Sequence, residues 1–441
     1  MNKLLVVVIV CLLSFAGYSQ EQASGNITVS LQQAMDLGLK NRFDIQSGKY
    51  NLTSAEIEVS KSKKEWIPDI SGTGNVRYSP QIQATFIPGG FFGSNPGLVA
   101  LGAKSTSVFG LELNQPIYKP GITSDIKIAK NNLEQEKTRY KQDENTIKIQ
   151  IAEAYLNVML KDLQHKITQD DEQRYNEYEQ VAQNKFKLGT LIENDYLKAK
   201  LDYENAKAET LKASQNYQLA LQNIKYQINI PAESQLVLTD SLSSIHALYD
   251  QLTSAYDPGN RTEIELLKLQ QKNDALQITK TKQNALPSLS FYANYSKQFL
   301  YTNFDYTLNQ WWSPFSYLGL RFSVPITSNF KNHNSIQHRQ IVAHQTDLSL
   351  KQKMADVNYE IQKASSELTN ALQNMNTAKN NYDLSRVIYE NQKQQYALGA
   401  LLYSSLLDTD RSLNTTEQNY IKAVYEYLIA SITYQKAIGN F

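Results

Sequence analysis

Histidine and carboxylate side chains could do chemistry in this chain, but their spacing predicts no active site. His333, His338 and His344 follow one another at intervals of five and six residues, whereas neighbours on one helical face are three or four residues apart. The paired carboxylates Asp170 and Asp171 lie in a long polar stretch, and we expect both to be solvated. The sequence contains no HExxH, Ser-His-Asp or glycine-rich phosphate-binding pattern. We therefore predict no catalysis, no metal site and no cofactor.

Aromatic side chains indicate a different kind of chemistry, contact with a membrane surface. The chain has 28 tyrosines, and a dense aromatic group flanks two short stretches in its second half. Such rings collect where lipid headgroups meet the apolar interior of a membrane; the alternative is the core of a soluble β-domain. The residues that we assign to the membrane interface are Phe291, Tyr292, Tyr295, Trp311, Trp312, Phe315 and Tyr317.

The N-terminus predicts export from the cytoplasm. An apolar run follows Lys3, and small residues precede a cleavage site after Ser19, which is the pattern of a secretory signal peptide over residues 1–19. The single cysteine, Cys11, lies inside this segment. Because the preceding Val10 is not small, we do not expect lipidation there.

Charge and hydropathy exclude two further classes of protein. Loss of Lys3 with the signal peptide leaves 43 of the 44 basic residues against 43 acidic ones, a net charge of zero. Nucleic-acid binding requires a basic face, so we expect no such partner. After the signal peptide no run of 18 apolar residues occurs, so we predict no transmembrane helix.

The chain contains one unit twice. Asn41 and Asn260 begin similar pentapeptides and are 219 residues apart, while Gly189 and Gly399 follow similar helix ends and are 210 apart. Two prolines repeat between these landmarks, Pro68 with Pro287 and Pro116 with Pro325. A repeat of this kind must be found before a fold is assigned. We therefore divide the mature chain into a first repeat (20–230), a linker (231–260) and a second repeat (261–441).

Each copy combines long helices with short strands. Residues 67–78 alternate with period two, which predicts a strand, and Pro68 ends the helix before it. Between Gly121 and Lys187 there is no proline and no internal glycine, and a helix of about 67 residues is roughly 100 Å long at 1.5 Å per residue. We predict helices over 31–66, 121–187, 191–228, 261–285, 330–397 and 401–438, and strands over 67–78, 106–118, 287–300 and 315–326.

These elements need copies of the same chain. A membrane barrel requires at least about eight strands, because every strand edge must be paired in lipid. Four predicted strands per chain give eight in two copies and twelve in three. The long helices carry apolar stripes too narrow for a globular core, and lateral packing in a ring would cover them. The strands and the helices therefore both indicate a hollow assembly of several chains.

The ordered set of landmarks resembles the outer-membrane efflux proteins of the TolC family over essentially the whole mature length. The residues that carry the resemblance are the four repeated prolines, the paired segments Phe186 to Leu191 and Tyr396 to Leu401, and the closing run Tyr434 to Gly439. The resemblance implies a mainly α fold with a small β part, built from a duplicated helix-strand-strand-helix unit. It further implies a trimer, with a 12-stranded outer-membrane β-barrel continued by a 12-helix periplasmic α-barrel.

The same resemblance implies function, location and partners. It predicts a passive channel of a tripartite efflux or type I secretion system in the cell outer membrane, with a long periplasmic extension. The implied partners are two further copies of the chain, outer-membrane lipid, a periplasmic adaptor (membrane fusion protein) and an inner-membrane pump of the RND, ABC or MFS type. The alternative is a secreted coiled-coil scaffold or adhesin without channel activity, which would be extracted without detergent.

The resemblance also assigns residues to sites. Asp408 matches an acidic ring at the periplasmic aperture, while Ser405 stands where a second acid is expected. Asp195 matches a residue that ties neighbouring helices, but Leu401 replaces its usual basic partner, and Tyr396 matches an aromatic residue of the same gate. The residues assigned to adaptor docking are Leu188, Gly189, Thr190, Leu398, Gly399 and Ala400.

Overall fold

The computed structural model describes residues 27–88, 96–241, 261–398 and 400–440. The predicted signal peptide, most of the predicted linker and Gly399 lie outside the described residues. The helices are α1 (Leu31–Asn41), α2 (Phe43–Lys64), α3 (Pro120–Lys187), α4 (Glu193–Gln227), α5 (Thr262–Gln283), α6 (Ser328–Ala397) and α7 (Tyr403–Ile438). The strands are β1 (Ile27–Val29), β2 (Asp69–Tyr78), β3 (Ala84–Ile87), β4 (Gly97–Ala100), β5 (Ser105–Tyr118), β6 (Leu236–Leu238), β7 (Ser288–Tyr301) and β8 (Trp312–Ser323). The predicted mainly α fold with a small β part is confirmed.

The first predicted helix is two helices, separated at Arg42. Arg42 has an extended backbone with φ −65° and ψ 137°. Its guanidinium donates to Asp44, Gln150 and Gln227, and the two glutamines lie far away in sequence. The prediction of one helix over 31–66 was wrong because these distant partners hold the break.

Short strands occur in two stretches for which the sequence predicts none, residues 79–104 and the linker 231–260. β3 and β4 form an antiparallel hairpin within the stretch 79–104. β6, in the predicted linker, pairs in parallel with β1, with Ile27 opposite Leu236. Strands of three or four residues are too short to show a period, so the sequence did not indicate them.

The four long strands form one antiparallel sheet in the order β2-β5-β7-β8. In the register, Phe109 lies opposite Lys297 and Gly74, and Leu111 lies opposite Tyr295 and Gly72. Because side chains alternate between faces, one face is mainly apolar. Members of this apolar face that are exposed include Ile70, Val76, Phe109, Leu111, Tyr295, Leu318, Leu320 and Phe322. The opposite face is mainly polar and includes Ser71, Asn75, Glu112, Asn294 and Arg321.

The described residues divide into two compact units. One takes those within Met1–Gln46, Asp143–Tyr256 and Tyr359–Phe441, and the other takes those within Ser47–Gln142 and Asp257–Asn358. The second unit contains the four-stranded sheet. The first has a core along α3, α4 and α7, with Ile151, Tyr155, Leu156, Ile224, Leu428 and Ile432 almost fully buried.

None of the helices in the described residues combines the length and the apolar character that a membrane-spanning helix needs.

Candidate functional site

The first hairpin end, between α3 and α4, is a left-handed turn at Gly189. Gly189 has φ +70°, which glycine adopts at little cost. The Thr190 N–H donates to the Lys185 carbonyl and the Gly189 N–H donates to the Phe186 carbonyl, both at 2.9 Å. These two bonds form a Schellman motif, which satisfies the last carbonyls of α3 and reverses the chain.

The second hairpin end, between α6 and α7, has two backbone hydrogen bonds that match bonds of the first hairpin end. The Leu398 N–H donates to the Gln394 carbonyl at 3.1 Å, and the Ala400 N–H donates to the Gln395 carbonyl at 2.9 Å. The corresponding donors of the first copy, Leu188 and Thr190, make the same bonds 210 residues earlier. Gly399 itself lies outside the described residues.

Both hairpin ends present apolar side chains to solvent. Leu188 is 78% exposed and Leu398 is 85% exposed. Ile192 and Leu402 take the N-cap positions of α4 and α7, where neither caps the helix with its side chain, and they are 66% and 74% exposed. Exposed apolar groups at a surface of this kind suit contact with another protein.

Tyrosines and one lysine connect the two hairpins. The Lys185 Nζ lies 5.0 Å from the ring centre of Tyr396 and 3.4 Å from its hydroxyl. Farther from the turns, the hydroxyls of Tyr178 and Tyr389 are 3.0 Å apart. The predicted gate residues Tyr396 and Leu401 both pack against the buried side chains of Tyr389, Leu406 and Leu413. The structure therefore brings these two predicted residues to one cluster.

The polar residues of the predicted aperture do not join that cluster. Asp195 is exposed in the first turn of α4. The side chain of Asp408 is 79% exposed and lies 4.0 Å from Arg411 in the next turn of α7. Ser405 is half-buried, and its carbonyl accepts a bond from the Thr409 hydroxyl. The acidic ring and the tie at Asp195 remain predictions.

A buried ionic cluster links α3 to α7, and sequence reasoning missed it. The Arg174 guanidinium donates to Asp410 at 3.0 Å and also contacts Asp171. Asn414 donates to the other oxygen of Asp171, and Arg411 lies 2.9 Å from Asp202 of α4. Asp410 is fully buried and Asp171 is 5% exposed.

The prediction that Asp171 is solvated was wrong, and the sequence contained the signal. Asp171 is four residues from Ile167 and four from Tyr175, and both of these are buried. Side chains at that spacing share a helical face. Asp171 therefore lies on the stripe of α3 that packs inward, next to the exposed Asp170.

Burial dominates the electrostatics of this cluster. Desolvation raises the pKa of Asp171 to about 6, although Arg174 opposes the rise. Desolvation likewise raises the pKa of Asp410 and of Glu417, which lies farther along α7 and accepts a hydrogen bond from the Tyr382 hydroxyl. Burial lowers the pKa of Arg174, but Asp410 and Asp171 outweigh that effect and raise it above the ordinary value. One guanidinium that stays charged thus serves two buried carboxyl groups.

The register separates the predicted interface aromatics into two sets. Phe291, Tyr295 and Trp312 share the apolar face of the sheet, and Trp311 lies in a short 3₁₀ helix (Asn309–Trp311) before β8. Tyr292, Phe315 and Tyr317 share the polar face with Asn294 and Arg321. β8 begins three residues before its predicted start. The membrane-interface assignment stays a prediction for both sets, and the apolar surroundings favour it for the first set.

The three histidines considered above lie along one helix. His333, His338 and His344 all belong to α6. Within the described ranges, no group of three or more His, Cys, Asp or Glu side chains lies close enough to hold a metal ion.

A protein-family model matches this chain in two segments, which correspond to the two predicted repeats. The model of the outer membrane efflux protein family matches residues 34–229 and 259–440. The alkaline protease secretion protein AprF of Pseudomonas aeruginosa is 21% identical over 326 residues, which cover 73% of this chain and 67% of AprF.

Solved structures share the fold at low identity. A crystal structure of CusC matches with a TM-score of 0.75 at 15% identity, covering 93% of this chain and 92% of that one. The CmeC outer membrane channel of Campylobacter jejuni matches with a TM-score of 0.71 at 15% identity, covering 93% and 85%.

The buried Asp171 gives a testable pH dependence. Its pKa is raised from 3.8 to about 6 in the folded protein, so between these values the folded chain holds a proton that the unfolded chain has released. The free energy of unfolding should therefore fall as the pH rises from about 4 to about 6, by at most about 3 kcal/mol from this residue and by less where solvent screens the cluster. Thermal unfolding in detergent between pH 4 and 7 measures this slope.

Two variants isolate the effect. Asp171→Asn removes this titrating group and should make the slope shallower, leaving the share of Asp410 and Glu417. Asp170→Asn, at the exposed neighbouring position, removes only a minor cause of the raised pKa of Asp171 and should change the slope far less. An unaltered slope in Asp171→Asn would contradict the assignment.

Proposed function

The chain belongs to the outer membrane efflux protein family, and from this premise we propose that three copies form the outer-membrane channel of a tripartite efflux or type I secretion system. The observation that carries the proposal is the four-stranded sheet with one exposed apolar face. Its terminal strands, β2 and β8, each pair with a neighbour on one side in the described part of the chain. Family and fold are those of channel proteins and not of enzymes.

If copies of the same chain close this sheet into a barrel, the edge strands gain hydrogen-bond partners and each face gains a suitable environment. Unpaired strand edges are costly in lipid, because no water replaces the missing partner. Three sheets joined edge to edge give twelve strands. The apolar face would then contact lipid and the polar face would line the channel, as in known membrane barrels.

Exposed apolar side chains along the helices favour the same assembly. Such side chains occur along α4 and α6, away from the hairpin ends, and in a single chain they are exposed to water. They include Leu201, Leu211, Leu219, Ile341, Leu348, Leu384 and Val387. Lateral packing of neighbouring copies would cover them and build a helical barrel.

The partners that we propose are a periplasmic adaptor at the hairpin ends and an inner-membrane pump of the RND, ABC or MFS type. The exposed Leu188, Ile192, Leu398 and Leu402 support adaptor contact, since each hairpin end offers two apolar groups beside a tight turn. AprF, which is named for secretion of an alkaline protease, supports a role in export. The pump supplies the energy, and the channel itself is passive.

Purification in mild detergent tests the assembly. We expect a particle with the mass of three mature chains plus bound detergent, and stepwise conductance when it is added to planar bilayers. A stable monomer that produces no conductance would refute the proposal, and extraction without detergent would favour a secreted scaffold instead.

The hairpin ends give a second prediction. Leu188→Asp combined with Leu398→Asp places charge on both exposed apolar ends, so capture of the adaptor should fall at least about tenfold, the equivalent of about 1.4 kcal/mol. The matched control is Leu188→Met with Leu398→Met, which keeps the apolar surface. Cross-linking to the adaptor in the periplasm measures the effect, and bilayer conductance confirms that the channel still forms. Equal capture by both double variants would exclude docking at these residues.

The predicted acidic ring gives a third prediction. Three copies of the exposed Asp408 near the aperture should attract cations and bind divalent ions. Asp408→Asn should therefore lower cation selectivity and weaken block by divalent cations in single-channel recordings. Ser405→Asp, which adds an acid three residues earlier, should strengthen that block. Unchanged selectivity and block in both variants would place the ring elsewhere.

A further inference from the structure

The segment that connects β7 to β8 folds back over the apolar face of the sheet. Phe299, on that face, is fully buried because the rings of Tyr306 and Trp312 lie 5.0 Å and 5.3 Å from its ring centre. Phe304 of the same segment lies 6.2 Å from Tyr78, at the far strand of the sheet. We call the connecting residues 302–311, together with Trp312 at the start of β8, the aromatic shelf.

Hydrogen bonds to two serines fix the position of the aromatic shelf. Ser105 and Ser107 belong to the apolar face, since they lie opposite Tyr301 and Phe299, and both are fully buried. The hydroxyls of Ser107 and Tyr306 are 2.8 Å apart, and the Ser105 hydroxyl donates to the Thr302 carbonyl at 3.3 Å. Without the shelf, these hydroxyls would face the surroundings of the apolar face. Their burial indicates a built contact and not a loose loop.

The outer surface of the aromatic shelf is both aromatic and polar. Phe304, Tyr306 and Trp311 are 39%, 39% and 41% exposed. The exposed Asp305 accepts bonds from the backbone and the hydroxyl of Thr307, so a tight polar turn stands beside these rings. Partly exposed rings next to polar groups are typical of protein surfaces at the boundary between lipid headgroups and acyl chains.

The height of the uncovered apolar face places the shelf at such a boundary. Between the shelf and the helix junctions, the uncovered part of this face extends along the strands from the Lys297–Phe109 pair to the Leu289–Phe322 pair. The eight residue-to-residue steps of β7 from Leu289 to Lys297 span about 27 Å along the strand. At a tilt of about 40° this is roughly 20 Å along the membrane normal, close to the ~25 Å apolar band of membrane barrels.

Lys297 supports this placement. It is the one lysine among the β7 residues of the apolar face, it is exposed, and it lies one step below Phe299 on that face. A charge is least costly near the edge of the apolar band, where the long lysine side chain reaches the phosphates of the headgroups.

We propose that the aromatic shelf is a lipid-binding surface. It rests in the headgroup layer at the end of the sheet away from the helix junctions, where Phe304, Tyr306 and Trp311 contact headgroups and Lys297 reaches lipid phosphate. By covering Ser105 and Ser107 it also sets the depth at which the sheet sits. The proposal rests on the proposed function, because it takes the apolar face as the lipid-contacting face.

Fluorescence quenching by brominated lipids tests the proposal. The chain has three tryptophans, so Trp66→Phe with Trp312→Phe leaves Trp311 as the single reporter. The protein is placed in phosphatidylcholine vesicles brominated at carbons 6 and 7 or at carbons 11 and 12 of one acyl chain. We expect the shallow bromines to quench Trp311 at least about twofold more than the deep ones. Stronger quenching by the deep bromines, or quenching by aqueous acrylamide alone, would overturn the proposal.

A matched reporter on the opposite face provides the control. Tyr317→Trp in a chain whose three native tryptophans are phenylalanine places the probe on the polar face, where it is 51% exposed at present. We expect acrylamide and not bromine to quench it. Conductance of the same vesicles separates the two proposals: conducting vesicles without shallow quenching of Trp311 refute the aromatic shelf alone, whereas vesicles with neither conductance nor bromine quenching refute the channel as well.

Tyr306→Phe supplies an independent check on the anchor. The substitution keeps the ring against Phe299 and removes the hydroxyl that meets Ser107. We expect the shallow-to-deep quenching ratio of Trp311 to fall, and the added Ser107→Ala to restore it, because no buried hydroxyl is then left without a partner. A ratio that is the same in all three proteins would contradict the role of the serine contact.

Discussion

The uncovered edges and faces of a single chain are the main physical constraint on this protein. In the part of the chain that the structure describes, β2 and β8 each have one strand neighbour, and their outer backbone groups need partners from another molecule. The apolar face between them carries exposed residues such as Leu320 and Phe322. Lipid can cover a face, but it offers no hydrogen bonds to an edge. Both needs are met together only when copies of the chain close the sheet.

The duplicated helices solve a different problem, which is how to hold two hairpins together within one chain. The contacts that do so are polar and buried, with Arg174 of the first copy paired to Asp410 of the second. Removing one partner of a buried pair commonly costs about 3–5 kcal/mol, because the other charge is left uncompensated. A pair of this kind adds little net stability but allows few alternative packings. We infer that this pair restricts the register between α3 and α7, and with it the relative position of the two exposed hairpin ends.

The sequence predicted most helices and strands, but it did not predict the long-range contacts between them. Pro68 and the period-two pattern after it located β2 within two residues, and the Leu-Gly pair located the turn at Gly189, since both signals are local. The break at Arg42 depends on Gln150 and Gln227, and no local pattern contains them. Membership of the efflux protein family was predicted from the order of such landmarks and is confirmed by the family model.

The faces of residues were harder to predict than their elements. The aromatics of β7 and β8 were treated as one group, although Tyr292 is adjacent to Phe291 and must point to the opposite face. Asp171 was judged by its charge, while its spacing to Ile167 and Tyr175 indicated burial. In both cases periodicity was the better guide, because position on a helix or strand decides what a side chain contacts before its chemistry does.

Arg411 connects the buried cluster with the exposed acid at the predicted aperture. Its guanidinium lies 2.9 Å from Asp202, whose side chain is 11% exposed, and 4.0 Å from the far more exposed Asp408. The closer pair is screened less by salt and water, so it holds the arginine more strongly than the exposed pair does. Asp408 therefore keeps most of its charge available to solvent. The predicted aperture position Asp408 would therefore present its charge to passing ions, because the neighbouring Arg411 is held by the less exposed Asp202.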